Sequence, residues 1–218
     1  ASLPNSTLEK IGNRNIEFAL NRHDTIPVVF ENGLGGRMEW WKEVLPEISK
    51  DATTFAYNRP GYGKSDPVST PRDGSHIVDE LRALLRTKGL NPPYILVGHS
   101  LGGLYMQLFA RRYPEEVSTL VLVDSTHPLQ LDGEGAIEKQ SFLVRGILGV
   151  LFTEAAREEL DWLPQTGQQV LNLPTLSDKP VFVLSASQPL EEKSRVADDA
   201  NENAKTLHGF TPVLNRYG

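Results

Sequence analysis

No cysteine occurs among the 218 residues. Disulfides, thiolate nucleophiles and cysteine-ligated zinc or iron–sulfur centres are therefore excluded. Long apolar runs are missing too. The longest, Phe142 to Phe152, is broken by Arg145 and falls short of the ~18 residues that a membrane-spanning helix needs. Basic residues are in deficit: 22 Lys and Arg stand against 28 Asp and Glu, a net charge of -6. That balance argues against a nucleic-acid partner, because phosphate binding needs a basic surface. Neither H-E-x-x-H, nor a phosphate-binding G-x-x-x-x-G-K-[ST], nor a dinucleotide-binding G-x-G-x-x-G opening a helix is found. The Gly33 to Gly36 cluster lacks those spacings. The expectation is no metal and no cofactor. No leader is visible, although the chain starts at Ala1 and not at Met. Placement leans to the cytoplasm, with secretion and oligomeric state left open.

What is present is an ordinary globular composition, 39% hydrophobic and 23% charged, in a length that fits one domain carrying an insertion. Short apolar runs alternate with helical patterns, which implies a mostly parallel sheet with helices on both faces. The strands expected are Ile26 to Asn32, Thr53 to Arg59, Tyr94 to His99, Ser118 to Ser125 and Pro180 to Ser187. Their near-continuous apolar character is that of strands buried on both faces. A strand near Ile16 to Leu20 is expected antiparallel at the sheet edge. Helical faces are formed by Trp41, Val44, Leu45 and Ile48, and by Ile77, Leu81, Leu84 and Leu85 with Gly89 as the stop. A third is formed by Leu101, Leu104 and Leu108, ending near Tyr113 before Pro114. Residues 128–177 break the rhythm and read as a helical cap inserted in a single domain spanning 1–218.

The decisive segment is Tyr94-Ile-Leu-Val-Gly-His-Ser-Leu-Gly-Gly103. Gly98-His99-Ser100-Leu101-Gly102 is a G-x-S-x-G pattern between a buried-type strand and an amphipathic helix. A nucleophile must project from a tight strand-to-helix turn, and glycine two residues to either side removes the Cβ atoms that would clash there. The helix then starts beneath the serine, where its N–H groups favour developing negative charge. The N–H of Leu101 is a natural donor to an oxyanion.

These residues resemble the α/β-hydrolase superfamily, over roughly Ile16 to Val183. The elbow is joined by Val28-Val-Phe-Glu-Asn-Gly-Leu-Gly-Gly36 with Trp40 and Trp41 following. Next comes Tyr57-Asn-Arg-Pro-Gly-Tyr-Gly-Lys-Ser-Asp66, similar to the family's arginine–proline–glycine turn. Leu120 to Pro128 adds a weaker match. The resemblance implies that Ser100 is the nucleophile and that the second oxyanion donor is the N–H of Leu34. Gly33, Gly35 and Gly36 would let that loop approach the ligand. His99 would line the pocket floor. The family often has His-Gly where this chain has Asn32-Gly33, and Asn32 is expected to bond the loop backbone in its place.

A serine hydroxyl needs a base, usually histidine, oriented by a carboxylate. Family order is Ser, acid, His, and the usual acid follows the strand at Pro180. There the chain reads Ser187-Gln-Pro-Leu-Glu191-Glu192, without the aspartate. Asp124, at the end of the preceding strand and on the same sheet edge as Ser100, is the first candidate; Glu191 and Glu192 are the others. No histidine of the five fits the family position: His23 lies on the wrong edge, His76 opens a surface helix, His127 comes early and His208 sits in a helical pattern. His127 and His208 stay as weak candidates. The favoured expectation is that the last strand, the histidine loop and the last helix lie beyond Gly218.

Phe142, Leu143, Ile147, Leu148, Leu151, Phe152 and Trp162 gather apolar surface in the insertion. They fit a self-packed cap, a roof over an apolar acyl pocket, or both. The function expected is a serine esterase or lipase acting on a small apolar acyl substrate. Alternatives are a haloperoxidase or C–C hydrolase variant, or a non-catalytic ligand-binding protein on the same scaffold.

Overall fold

A computed structural model describes residues 3–129 and 153–185. Seven strands form one sheet: β1 (Ser6–Ile11), β2 (Arg14–Asn21), β3 (Val28–Glu31), β4 (Thr54–Tyr57), β5 (Tyr94–His99), β6 (Val117–Val123) and β7 (Val181–Leu184). Their spatial order is β1-β2-β4-β3-β5-β6-β7. The last five in that order run parallel, while β2 pairs antiparallel with both β1 and β4.

The parallel strands obey one rule. Successive residues point to opposite faces, and both faces are apolar and mostly buried on β3 to β6. Strand β7, expected to be buried on both faces, instead exposes Val181 and Val183. On β3, Val28 and Phe30 enter one cluster and Val29 the other; on β5, Ile95 and Val97 are opposed by Leu96; on β6, Val121 and Val123 by Leu120 and Leu122. The first face is covered by Met38, Trp41, Val44, Leu45 and Ile48, from a 3-10 turn at Met38–Trp41 and helix α1 (Leu45–Ile48). The second is covered by α2 (Gly74–Thr87) and α3 (Leu101–Arg112).

Helix α2 buries Ile77, Val78, Leu81, Leu84 and Leu85. It stops at Gly89, which adopts φ +68. There Gly89 N–H donates to Arg86 O and Leu90 N–H to Leu85 O. This is the paired bonding of a left-handed helix stop, which glycine adopts without steric cost.

One further expectation is corrected. The segment at Ile16 to Leu20 is antiparallel, but it is not the edge; β1 lies outside it. Four of the six β1 residues are exposed, so no buried face marks that strand in the sequence. The segment at residues 128–177 is described only at its ends. Residues 153–177 contain α4 (Glu154–Asp161) and α5 (Leu163–Leu171), with Trp162 half-buried between them. Phe142, Leu143, Ile147, Leu148, Leu151 and Phe152 lie outside the described residues. Helix α5 docks beside α2, capping its N-terminus: Gly74 N–H donates to Thr166 Oγ1 and Ser75 N–H to Gln169 Oε1, both at 2.9 Å. No described helix is long and apolar enough to cross a membrane.

Chain direction now fixes where a ligand can sit. From β3 the chain crosses to β4 on one side and then to β5 on the other. Connections that leave a strand in opposite directions open a crevice at the carboxyl ends of the parallel strands. Glu31 ends β3 and His99 ends β5, paired in register through Glu31↔Gly98.

Candidate active site

Ser100 occupies the crevice, between β5 and α3. Its backbone is held at φ 52, ψ -120, a conformation that costs a non-glycine residue of order 1–3 kcal/mol. The surroundings enforce it. Ser100 N–H donates to Val123 O at 3.0 Å, and Ser100 O accepts from Gly103 N–H at 2.9 Å and Thr126 N–H at 3.0 Å. The flanking glycines are steric necessities. A Cβ on Gly98 would stand 2.5 Å from Gly102 O, one on Gly102 2.4 Å from Glu31 O, and one on Gly103 2.2 Å from Ser125 Oγ.

The turn after β3 closes against the same serine. A Cβ on Gly33 would lie 3.2 Å from both Ser100 Cβ and His99 Nδ1. Gly36 N–H donates back to Gly33 O. Leu34 is half-buried against the core, and Leu101 is buried at the first position of α3. Ser100, Leu101, Gly33 and Leu34 are therefore brought together, with Gly98 and Gly102 as the permissive positions behind them.

Asn32 behaves differently from expectation. It does not bond its own loop. Its Nδ2 donates to Tyr57 O on β4 at 2.8 Å and its Oδ1 accepts from Trp41 Nε1 at 2.6 Å. It thus pins the end of β3 to the neighbouring strand and to the Trp41 ring. His99 meets the rings of Trp40 and Trp41 edge-on, at centroid distances of 6.2 and 6.4 Å. Burial pushes the His99 imidazole below its ordinary value, against the opposing charge of Asp124. Trp40 is 56% exposed, an aromatic face open beside the crevice.

Asp124 follows β6 directly, at φ 42, with its N–H donating to Leu184 O at 2.8 Å. It shares the carboxyl edge of the sheet with Ser100. His127 is exposed on the same loop and accepts from Leu129 N–H through Nδ1 at 3.1 Å. His23 bonds Ser49 O and Thr53 near the opposite edge. His76 sits in the first turn of α2, paired with Asp73. His208, Glu191 and Glu192 lie outside the described residues. Among the described residues no cluster suited to holding a metal ion is found.

Beneath the turn lies a group that sequence reasoning did not find. Arg59 is 1% exposed, and Glu31 and Glu159 are wholly buried. Arg59 donates to Glu31 Oε1 at 2.7 Å, to Glu159 Oε1 and Oε2 at 2.7 and 2.8 Å, and to the backbone oxygens of Asn32 and Gly33 at 2.6 and 3.0 Å. Tyr57 donates to Glu31 and Tyr62 to Glu159. The guanidinium lies over the rings of Tyr62 and Tyr105. Burial pushes the Glu31 carboxyl up, and Arg59 offsets part of that. Arg59 stands in the turn that carries the family resemblance, but nothing local in the sequence points from it to Glu159, 100 residues on.

Three comparisons bear on the arrangement. A family model described as alpha/beta hydrolase fold matches residues 26–210. An uncharacterized protein of Schizosaccharomyces pombe is 26% identical over 222 residues, covering 87% of this chain and 41% of that protein. A (lyso)-N-acylphosphatidylethanolamine lipase of Mus musculus is 32% identical over 133 residues, covering 59% of this chain and 39% of the lipase. The chain thus spans less than half the length of both curated relatives. Among solved structures, Cfl2 from Burkholderia cenocepacia superposes with a TM-score of 0.68 at 18% identity, covering 91% of this chain and 84% of that one; the likeness is one of fold.

Proposed function

The chain belongs to the alpha/beta hydrolase fold family, and we propose that within it this protein is a serine hydrolase that cleaves a carboxylic ester or related acyl bond through Ser100. The observation that carries the reading is the strained Ser100 turn with the glycine turn of β3 pressed against it. In this mechanism Ser100 Oγ attacks the acyl carbon and its proton passes to a histidine base. The carbonyl oxygen becomes an oxyanion between the N–H groups of Leu101 and Leu34. The tetrahedral species collapses, the protonated alcohol leaves, and water releases the acid from Ser100 by the same steps. Donors fixed in advance cost no reorganisation as the charge forms. Asp124 is the acid that orients the base; within residues 1–218 the candidates for that base are His127 and His208. The exposed face of Trp40 favours an apolar acyl group, in line with the lipase named among the relatives.

The test is labelling with a fluorophosphonate, read by intact mass. Single-site labelling that disappears in Ser100→Ala supports the reading. A chain that binds apolar esters without labelling or turnover, and stays inert when extended beyond Gly218, would instead be a ligand-binding member of the family. A chain that labels but turns over peroxide or C–C substrates in preference to esters would move the reaction class and keep the nucleophile.

A further inference from the structure

We propose that Glu159, on helix α4, is a positioning residue for the turn at residues 32–35 that faces Ser100. The inference builds on the reading of that turn as an oxyanion site, but its geometry stands by itself.

The turn is irregular backbone, buried at Asn32 and Gly33, and buried carbonyls must find donors. Two of its oxygens, Asn32 O and Gly33 O, accept from Arg59. One of its amides, Gly35 N–H, donates to Tyr62 Oη at 3.4 Å. Arg59 and Tyr62 converge on one carboxylate: Arg59 donates to both Glu159 oxygens and Tyr62 Oη to Glu159 Oε2 at 2.8 Å. A planar guanidinium fixed by a bidentate carboxylate has little freedom left, so two of its three remaining N–H groups are aimed at the turn and the third at Glu31. Glu159 itself touches none of the turn residues in these bonds; it acts through the two side chains that do.

An independent feature shows that α4 is seated for this. Gly61, at φ +82, lies between Arg59 and Tyr62, and a Cβ there would stand 2.6 Å from Ala155 Cβ. A bare backbone on one side and the smallest side chain on the other let α4 approach close enough for Glu159 to reach both partners. Residues 153–161 thereby belong to the machinery of the crevice.

The experiment is hydrogen exchange of the peptide covering residues 31–36 in the wild-type chain, Glu159→Gln, Tyr62→Phe and Glu154→Gln. Acylation by a fluorophosphonate and turnover of p-nitrophenyl butyrate are measured alongside. Glu159→Gln is expected to speed exchange in that peptide roughly tenfold with little change across β6. It should lower the acylation rate per labelled site by roughly ten- to a hundredfold, with KM almost unchanged. Tyr62→Phe, which frees Gly35 N–H and removes one of the bonds that hold Glu159 while leaving Arg59 in place, should do the same in smaller measure, and Glu154→Gln nothing. If Glu159→Gln misfolds, Tyr62→Phe decides. Wild-type exchange at residues 31–36 in the folded variants would overturn the proposal, as would loss of labelled fraction with an unchanged rate per site. A wild-type chain that fails to label, both as residues 1–218 and when extended beyond Gly218, would overturn the hydrolase reading alone, because the exchange measurement needs no turnover.

Discussion

Arg59 and Glu159 form a bidentate ion pair at 2.7 and 2.8 Å, shut away from water and joining a loop after β4 to a helix 100 residues later. Such a pair is weak support for net stability, but breaking it is costly, because the partner is left charged and buried. Arg59→Met would strand two carboxylates, Glu31 and Glu159. Urea denaturation should show a loss of about 3–5 kcal/mol. Arg59→Lys should recover only part of it, since an ammonium cannot reproduce the fork.

The conformation of Ser100 sets a second expectation. Ser100→Ala removes the hydroxyl and leaves the φ of 52 in place, so labelling disappears and stability stays within about 0.5 kcal/mol. Ser100→Gly should also be inert. Strain of about 1–3 kcal/mol is relieved, and the unfolded-state entropy of glycine takes back up to about 1 kcal/mol. A rise in melting temperature of roughly 2–4 °C for each kcal/mol gained is the readout. A melting temperature for Ser100→Gly below that of Ser100→Ala would show that the turn is not strained.

Steric need distinguishes one glycine from another. Gly102 has Glu31 O and Asn32 O within 2.6 Å of its missing Cβ, whereas Gly89 has nothing within 4 Å. Gly102→Ala must push α3 and the β3 turn apart, at a cost of about 3 kcal/mol or more, and should abolish labelling. Gly89→Ala meets only the left-handed backbone term, about 1–2 kcal/mol, and should label normally.

Asp124→Asn tests the acid. If Asp124 orients the base, kcat for p-nitrophenyl butyrate falls by roughly 10⁴ with the fold intact. Glu191→Gln and Glu192→Gln then leave kcat within about twofold of the wild type, a change worth less than about 0.5 kcal/mol. The opposite pattern would move the role to the later segment.

The pH dependence of stability has an identifiable source at Glu116, away from the crevice. Hydrogen bonds from Arg82, with the charges of Arg82 and Arg86, hold the Glu116 carboxyl below its ordinary value of 4.5 against the effect of burial. A carboxylate depressed in the folded state stabilises above its unfolded pKa and loses that contribution as pH falls through the folded one. Melting temperature should therefore drop below about pH 4.5 in the wild type, and the drop should be shallower in Glu116→Gln.

The parallel strands and the Ser100 turn were legible because each leaves a local mark. Strands buried on both faces have continuous apolar runs, as at Tyr94 to Val97, and the elbow needs glycines at fixed offsets. β1 left no such mark, since most of its side chains meet water. The partners of Asn32 and Arg59 were illegible for another reason. A buried polar side chain is satisfied by whatever the fold brings near it, and Trp41, Tyr57 and Glu159 are brought there by tertiary packing. Asp124 could be placed at the right sheet edge from the strand alone. The histidine base could not be chosen, because its role depends on where a loop folds back and not on residue type.

The contact between Gly61 and Ala155 makes the helical insertion a keyed part. A library that randomises residues 153–161 while leaving residues 57–66 untouched should return small side chains at 155 and an acid at 159, and little preference at the exposed positions 154 and 161. Chimaeras that import another insertion should fail at this seam first. A repair confined to the helix would then rescue them without any change beside Ser100.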